Sequence, residues 1–490
     1  MDLIKASFKE ISSSIKSKKV SAVEVTRFFL DRIEKHNSKV NAFVAINDSA
    51  IQQAQKIDEL VQQGSVHGTM LGVPVGIKDM FCTKGLKTTA ASKILQNFVP
   101  PYDATVVSKI KNQGAIVLGK LNQDEFAMGS SNESSCFGTV KNPWDLKYVA
   151  GGSSGGSAAA QSLRLCAGST GTDTGGSIRQ PASFCGIVGV KPTYGRVSRY
   201  GIIAYASSLD QAGPMVNCVD DAAIFLEAIC GKDDFDGTTS SKKVPNFSEN
   251  LNENIKGLKV GILKENNLSD GLDADVQKAF IDAKEALRKL GAEIVEISVP
   301  LVEKAIPVYY LIASSEASSN LSRYDGVKYG HRAAFESLAH VGLDEFYSKT
   351  RSEGFGSEVK RRIMLGTYCL SSGYYDAYYN KACQVRRLIH DQFIEAFKKC
   401  DVILSPVTTT PAFKIGEKIT DPLAMYLNDL YTVSTNLAGL PGMSIPFSKS
   451  NKGLPIGVQI IAKHFEEQTM LNVGYALEKI STETWGVPNV

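Results

Sequence analysis

Two periods of apolar residues alternate along the chain, and together they predict an α/β protein. Helical spacing dominates residues 1–65. Further along, the apolar runs Leu258–Leu263 and Glu293–Val299 predict strands, and the 3.6-residue repeat of Asp273–Leu290 predicts a helix between them. This order favours a βαβ unit with parallel strands. Repeated alternation of this kind indicates one α/β architecture.

The patterns predict a single domain over residues 1–490 with four segments. These are a helical lead-in (1–65), a core that carries the candidate chemistry (66–230), a polar connector rich in turn formers (231–254) and a C-terminal α/β part (255–490). The connector is too short to prove a domain boundary, and no internal repeat is visible.

Composition narrows the class of protein. Apolar residues make up 43% of the 490, enough for a sizeable core, and a net charge of +3 gives no case for a main nucleic-acid binder. Nine dispersed cysteines without a C-x-x-C pair suggest a reducing compartment and no metal site. No secretory signal or apolar run of about 20 residues is visible, so we expect a cytoplasmic protein without a membrane span.

Two Gly/Ser-rich loops dominate the core, in the run GGSSGGSAAAQSLRLCAGSTGTDTGGSIRQP at residues 151–181. Three interpretations compete for them: a flexible linker, a phosphate cradle and an oxyanion site for acyl transfer. Gly114–Lys120 matches a P-loop in spacing, but its inner residues are those of a buried strand, and Leu121 replaces the metal-binding Ser or Thr. Phosphate binding is therefore disfavoured.

A serine nucleophile needs a base. G-x-S-x-G matches around Ser153 and Ser154 are weak, because any run this rich in Gly and Ser produces them, and none of the six histidines lies near the loops in sequence. The adjacent Asp124 and Glu125 could form an acid/base pair, but adjacent carboxylates are more often the solvated edge of a loop.

Lys78 is the alternative base, since it ends the apolar run LGVPVGIKD. At a reference pKa of about 10.4, well under one lysine in a thousand is neutral at pH 7, whereas burial lowers the pKa and frees the amine. The residues alone equally allow a strand-end lysine that extends to solvent.

The runs GGSSGGSAAA and TDTGGSIRQPA, with GIKD upstream, resemble the amidase signature family. The resemblance implies a large, mixed, twisted β-sheet covered by helices on both faces. It also implies a Ser-Ser-Lys triad in which Ser177 is the nucleophile, Lys78 the base and Ser153 the bridge between them, with a cis peptide at Ser153. The implied oxyanion hole consists of the backbone N–H groups of Thr174, Gly175, Gly176 and Ser177.

A narrower resemblance is to the glutamine-hydrolysing subunits of tRNA-dependent amidotransferases. It rests on runs such as SSEASSNLSRYDG, RSEGFGSEVKRRIMLGTY and NLAGLPG. The residues that it assigns to free glutamine are Tyr309, Arg362, Asp429, Met128 and Gly129. A guanidinium suits an α-carboxylate and a carboxylate suits an α-ammonium. From the residues alone, Arg361 and Tyr310 remain alternatives to Arg362 and Tyr309.

The resemblance implies hydrolysis of glutamine to ammonia, used in converting Glu-tRNA(Gln) to Gln-tRNA(Gln), Asp-tRNA(Asn) to Asn-tRNA(Asn), or both. The implied partners are the B and C subunits of a heterotrimer. The B subunit would use ATP and Mg²⁺ and hold most of the mischarged tRNA, and this chain is expected to bind no cofactor. Two alternatives remain: a free-standing amidase that acts on another small amide, and a non-catalytic scaffold that binds a nucleotide.

Overall fold

The computed structural model describes residues 1–65, 67–266, 271–336, 341–418, 421, 425–481 and 486–490. The helices of this described part, numbered in chain order, are α1 Phe8–Lys16, α2 Ala22–Val40, α3 Ala50–Gln62, α4 Thr105–Asn112, α5 Gly155–Ser162, α6 Arg179–Cys185, α7 Val219–Ile229, α8 Ala274–Lys289, α9 Ala305–Asn320, α10 Leu343–Gly354, α11 Ser357–Leu370, α12 Lys381–Ala396, α13 Val433–Leu437 and α14 Glu467–Ile480. The capping box of Ser21 and Glu24 at the start of α2 shows how local sequence sets such bounds.

In the same described ranges, the strands are β1 Phe43–Ile46, β2 Pro74–Lys78, β3 Ile116–Leu121, β4 Gly168–Asp173, β5 Val188–Lys191, β6 Gln211–Val216, β7 Lys259–Leu263, β8 Glu293–Ile297, β9 Val402–Pro406, β10 Gly442–Lys449 and β11 Pro455–Ala462. They form one mixed sheet in the order β1-β3-β2-β4-β6-β5-β10-β11-β9-β7-β8. Helices cover both of its faces, so the predicted fold class is confirmed.

The strand, helix and second strand predicted over residues 258–299 are present, with ends within two residues of the prediction. The predicted βαβ unit is present as β7, α8 and β8, and β7 pairs with β8 in parallel. The false P-loop is largely strand β3, which is buried along its whole length. No helix among the described residues is both long and apolar enough to cross a bilayer.

Three parallel strands bring the candidate chemistry to one edge of the sheet. Strand β2 lies between β3 and β4 and is parallel to both, so all three end at the same edge. Lys78 is the last residue of β2, Asp173 is the last of β4, and Asp124 follows the end of β3. Loops at the carboxyl ends of parallel strands are where α/β proteins place ligands.

Two helices outside the sheet carry the predicted substrate residues. Tyr309 and Tyr310 lie on α9, and Arg362 lies on α11. The two helices pack closely because Gly366 has no side chain; a Cβ there would stand 1.9 Å from the Ser314 carbonyl oxygen. This close approach directs Arg362 inwards, where its side chain is buried.

Candidate active site

Lys78 is completely buried and does not extend to solvent. Its Nζ lies 2.8 Å from Ser153 Oγ, 2.8 Å from Ser154 Oγ and 2.7 Å from Thr172 Oγ1. Burial lowers the pKa of Lys78 to about 7, against the opposing charges of three nearby carboxylates. A neutral amine, hydrogen-bonded to three hydroxyl groups, is therefore accessible at neutral pH.

The two Gly/Ser loops meet around this amine. The backbone N–H of Ser154 donates to the carbonyl of Ser177 at 3.2 Å, which ties the first loop to the second. The peptide bond between Gly152 and Ser153 is cis. Ser153 is fully buried, whereas Ser177 is 8% exposed. Of these two predicted residues, Ser177 is thus the one that a substrate can reach.

An ion pair holds the second loop. Arg179 Nε and Nη2 each donate to Asp173 at 3.0 Å, and both side chains are buried. Burial alone would raise the pKa of Asp173, but Arg179 lowers it to about 2. Gly176 adopts φ +135°, and a Cβ there would stand 2.3 Å from Thr432 Oγ1, so the loop requires glycine at this position.

The same ion pair changes the predicted oxyanion hole. The Gly176 N–H donates to Asp173 Oδ1 at 2.8 Å. An N–H engaged by a carboxylate has no second strong bond to give, so Gly176 is a poor oxyanion donor. The hole reduces to the N–H groups of Thr174, Gly175 and Ser177, whose role stays a prediction.

The expectation that Asp124 and Glu125 form a solvated edge is wrong. Their exposed fractions are 1% and 3%. Asp124 accepts the backbone N–H of Asn132 at 3.0 Å and the hydroxyl of Ser134 at 2.8 Å, and its own N–H donates to the carbonyl of Ser153 at 3.2 Å. Asp124 therefore supports the loop of the bridging serine.

Arg362 is fixed by a carboxylate and three aromatic rings. Its Nε donates to Glu358 Oε1 at 2.8 Å, and its Nη1 donates to the Tyr205 hydroxyl at 2.5 Å. Its Cζ lies 5.1 to 5.7 Å from the ring centres of Tyr205, Tyr310 and Tyr426. The neighbouring Arg361 is half-exposed and pairs with Glu358 from the surface. The predicted preference for Arg362 over Arg361 agrees with this burial.

Asp429 occupies a 3₁₀ turn and accepts two hydrogen bonds. They come from the hydroxyl of Tyr310 at 2.8 Å and the hydroxyl of Ser130 at 3.0 Å. Burial raises the pKa of Asp429 to about 6. Tyr309 points elsewhere: a Cβ on Gly175 would stand 2.6 Å from its hydroxyl, so Tyr309 approaches the oxyanion loop rather than Asp429.

A cavity of about 170 Å³ lies beside these groups. Its lining includes three of the predicted substrate residues, Met128, Gly129 and Arg362, but not Tyr309, Asp429 or the predicted nucleophile Ser177. Ser130 also lines it and connects it to Asp429.

Sequence reasoning assigned no role to Ser154, Thr172, Tyr205, Ser130 or Glu358. The spacing of Ser154 and Thr172 offered a weak signal, since both stand in the Gly/Ser loops or directly before them. The part of the chain that the structure describes contains no group of three His, Cys, Asp or Glu residues able to hold a metal ion.

A buried lysine among hydroxyls, at the edge of a mixed sheet and beside a reachable serine, defines an enzyme that transfers acyl groups from amides. The family model described as Amidase matches residues 24–471. The chain belongs to the amidase family, as its loops predicted.

Full-length relatives are similar to it. The chain is 66% identical to the glutamyl-tRNA(Gln) amidotransferase A subunit of Bdellovibrio bacteriovorus over 490 residues, 100% of both chains. The crystal structure of the glutamyl-tRNA(Gln) amidotransferase A subunit from Thermotoga maritima superposes with a TM-score of 0.82 at 41% identity, covering 100% of this chain and 99% of that one. Peptide amidase from Stenotrophomonas maltophilia superposes with a TM-score of 0.83 at 27% identity, covering 99% and 98%.

Proposed function

We propose that this chain is the glutamine-hydrolysing subunit of a tRNA-dependent amidotransferase. The observation that carries the proposal is a pair of opposite charges, Arg362 and Asp429, that are both buried; Arg362 lines the cavity, and Asp429 is connected to it through Ser130. A free α-amino acid carries both a carboxylate and an ammonium, and only a site with both charges satisfies the two ends. The full-length similarity to the A subunits supports the same assignment.

The hydrogen bonds around Lys78 suit a neutral amine. Such an amine has two N–H donors and one lone pair, and three hydroxyls surround it. Ser154 Oγ donates its own proton to the carbonyl of Thr172 at 3.2 Å, so it accepts from Lys78. The lone pair is then free to accept the proton of Ser153 Oγ, and Ser153 in turn can take the proton of Ser177.

Acyl transfer follows from this relay. Ser177 Oγ attacks the side-chain amide carbon of glutamine, and the oxyanion is stabilised by the N–H groups of Thr174, Gly175 and Ser177. The C–N bond breaks, ammonia leaves with the proton returned through Ser153, and a glutamyl ester remains on Ser177. Water, deprotonated by the same relay, cleaves the ester to glutamate and restores the serine.

The ammonia is used elsewhere in the assembly. We propose two partner proteins, the B and C subunits. The B subunit uses ATP and Mg²⁺ to activate the tRNA-linked carboxylate and holds most of the tRNA, and the small C subunit joins the other two chains. A cytoplasmic heterotrimer of this kind explains why relatives similar over their full length carry the name of a subunit.

Ammonia release from glutamine tests the proposal, with the chain assayed alone and with its co-purified partners. We expect glutamine to be preferred over neutral alkyl or aryl amides, and Arg362→Ala to raise the KM for glutamine at least about tenfold, since a charged hydrogen bond contributes about 1.5–3 kcal/mol. Arg288→Ala, which removes an exposed arginine of α8 that is paired with Glu285, is the matched control. Efficient turnover of neutral amides that is indifferent to Arg362→Ala would instead favour a free-standing amidase.

A further inference from the structure

Tyr310 contacts both charged groups of the predicted substrate site. Its hydroxyl donates to Asp429 Oδ2 at 2.8 Å. The Cζ of Arg362 lies 5.1 Å from the centre of the Tyr310 ring. The buried side chain of Tyr310 on α9 thus contacts both the carboxylate of Asp429 and the guanidinium of Arg362.

A second set of contacts closes a ring through the same tyrosine. The rings of Tyr310 and Tyr426 stack with centres 3.9 Å apart. The Tyr426 hydroxyl donates to Glu358 Oε1 at 3.3 Å, and that oxygen also accepts from Arg362 Nε at 2.8 Å. Arg362 therefore cannot shift relative to Asp429 without disturbing Tyr310 or its stacked partner.

We propose that Tyr310 is a positioning residue that sets the separation and orientation of Arg362 and Asp429, and so selects amides that carry both an α-carboxylate and an α-ammonium. The proposal rests on the proposed glutamine-hydrolysing function. It assigns to Tyr310 the coupling of the two charges, whereas the hydroxyl of Tyr309 approaches Gly175 in the nucleophile loop.

The pKa of Asp429 gives a way to measure the contribution of the Tyr310 hydroxyl. The groups that face its carboxyl are the hydroxyls of Tyr310 and Ser130, the cation of Arg362 and the more distant anion of Asp173. Burial raises its pKa to about 6, and the two hydroxyls and Arg362 oppose that rise. Removal of the Tyr310 hydroxyl therefore raises this pKa further.

The experiment compares Tyr310→Phe with Tyr194→Phe in the complete assembly, using glutamine and a neutral amide of similar length. Tyr194 is the matched control, since its hydroxyl also donates a hydrogen bond, at 2.7 Å to the carbonyl of Ser207, outside the charged pair. We expect Tyr310→Phe to lower kcat/KM for glutamine by about ten- to hundredfold. The control keeps the wild-type value, and the neutral amide changes less than about threefold in both variants.

The pH dependence of substrate preference distinguishes a positioning role of Tyr310 from a general loss of activity. The ratio of kcat/KM for glutamine to that for the neutral amide cancels the titration of Lys78, which both substrates need. In the wild type this ratio falls below about pH 6, where Asp429 becomes protonated. We expect the fall to begin at higher pH in Tyr310→Phe, and to shift less in Ser130→Ala, while Tyr309→Phe leaves its position unchanged.

Two results would overturn the proposal: equal losses for both substrates in Tyr310→Phe, or a ratio in that variant whose size and pH dependence match the wild type. If Tyr310→Phe does not fold, Tyr426→Leu takes its place, since it removes the ring stacked on Tyr310, and an unchanged ratio in that variant would overturn the proposal. Failure of the proposed function looks different, because the wild type itself would then show no preference for glutamine.

Discussion

Two buried lysines at the ends of neighbouring parallel strands have very different surroundings. Lys78 ends β2, and Lys120 stands next to the end of β3; neither side chain is exposed. Lys120 is paired across the strands with Ile77, so it points to the opposite face of the sheet from Lys78. Because both amines are equally buried, any difference between Lys78 and Lys120 reflects the groups that surround each amine.

Lys120 is surrounded like a structural cation. Its Nζ lies 3.8 Å from Asp79 Oδ1 and donates to the carbonyl of Phe81 and to two threonine hydroxyls. Burial lowers its pKa to about 8, and Asp79 opposes the shift. Lys78 instead hydrogen-bonds to three hydroxyls, and one of them belongs to Ser154, whose backbone N–H donates to the carbonyl of Ser177. Burial alone thus does not make a base; the base is the lysine whose neighbours can pass it a proton.

The largest expected effect is on catalysis. Lys78→Met should lower kcat for glutamine hydrolysis by about a hundred- to ten-thousandfold, because general-base catalysis contributes about 10²–10⁴ and Lys78 Nζ is the amine in contact with Ser153 Oγ. Lys120→Met should stay within about tenfold per folded molecule. Single-turnover ammonia release on both variants, normalised to folded protein by circular dichroism, makes the comparison. Equal losses would show that the two lysines do not differ in role.

The next largest effect is on stability, and here Lys120→Met should be more damaging than Lys78→Met. Lys120→Met leaves Asp79 buried without its cation, and breaking a buried ion pair costs about 3–5 kcal/mol. For a chain of 490 residues this lowers Tm by roughly 3–5 °C, measured by calorimetry. The double variant Asp79→Asn/Lys120→Met removes both charges and should recover most of the loss. If the double variant has the same Tm as Lys120→Met, the lost stability does not come from the unpaired charge of Asp79.

These two lysines also show how far the sequence could predict the structure. The apolar runs ahead of Lys78 and Lys120 predicted buried strands, and both strands are present. Contacts across long stretches of chain were out of reach: Asp79 is 41 residues from Lys120 in sequence, and Ser130 is 299 from Asp429. Charge pattern alone cannot show which loop edge folds inward, which is why the burial of Asp124 and Glu125 was missed.

The different contacts of Tyr309 and Tyr310 were beyond sequence reasoning for a geometric reason. Successive residues of a helix point about 100° apart, so the packing of α9 on α11 decides which hydroxyl reaches Asp429. Sequence patterns place a helix to within one or two residues but do not fix its rotation at this precision. The family resemblance assigned Tyr309 to glutamine, which stays a prediction, and the hydrogen bond to Asp429 comes from its neighbour Tyr310.

The smallest expected effect sharpens the comparison most. Lowering the pKa of Lys78 from 10.5 to about 7 destabilises the fold by roughly 4 kcal/mol at pH 7, while its three hydrogen bonds return about 1 kcal/mol each. Lys78→Met gains stability by removing this penalty but loses the hydrogen bonds, so at pH 7 its free energy of unfolding should stay within about 2 kcal/mol of the wild type although activity is lost.

The pH dependence of this gain fixes its cause. Between about pH 7 and pH 10.5 the unfolded lysine binds a proton that the folded one has released, so the stability of the wild type rises with pH in that window. The gain from removing the penalty is fully present below about pH 7 and fades towards pH 10.5, so Lys78→Met loses stability relative to the wild type across this window. Calorimetry at pH 6.5 and pH 9.5 measures the difference. A stability difference from the wild type that is equal at both pH values would mean that the packing of methionine, and not the uncharged state of the catalytic amine, sets the stability of the variant.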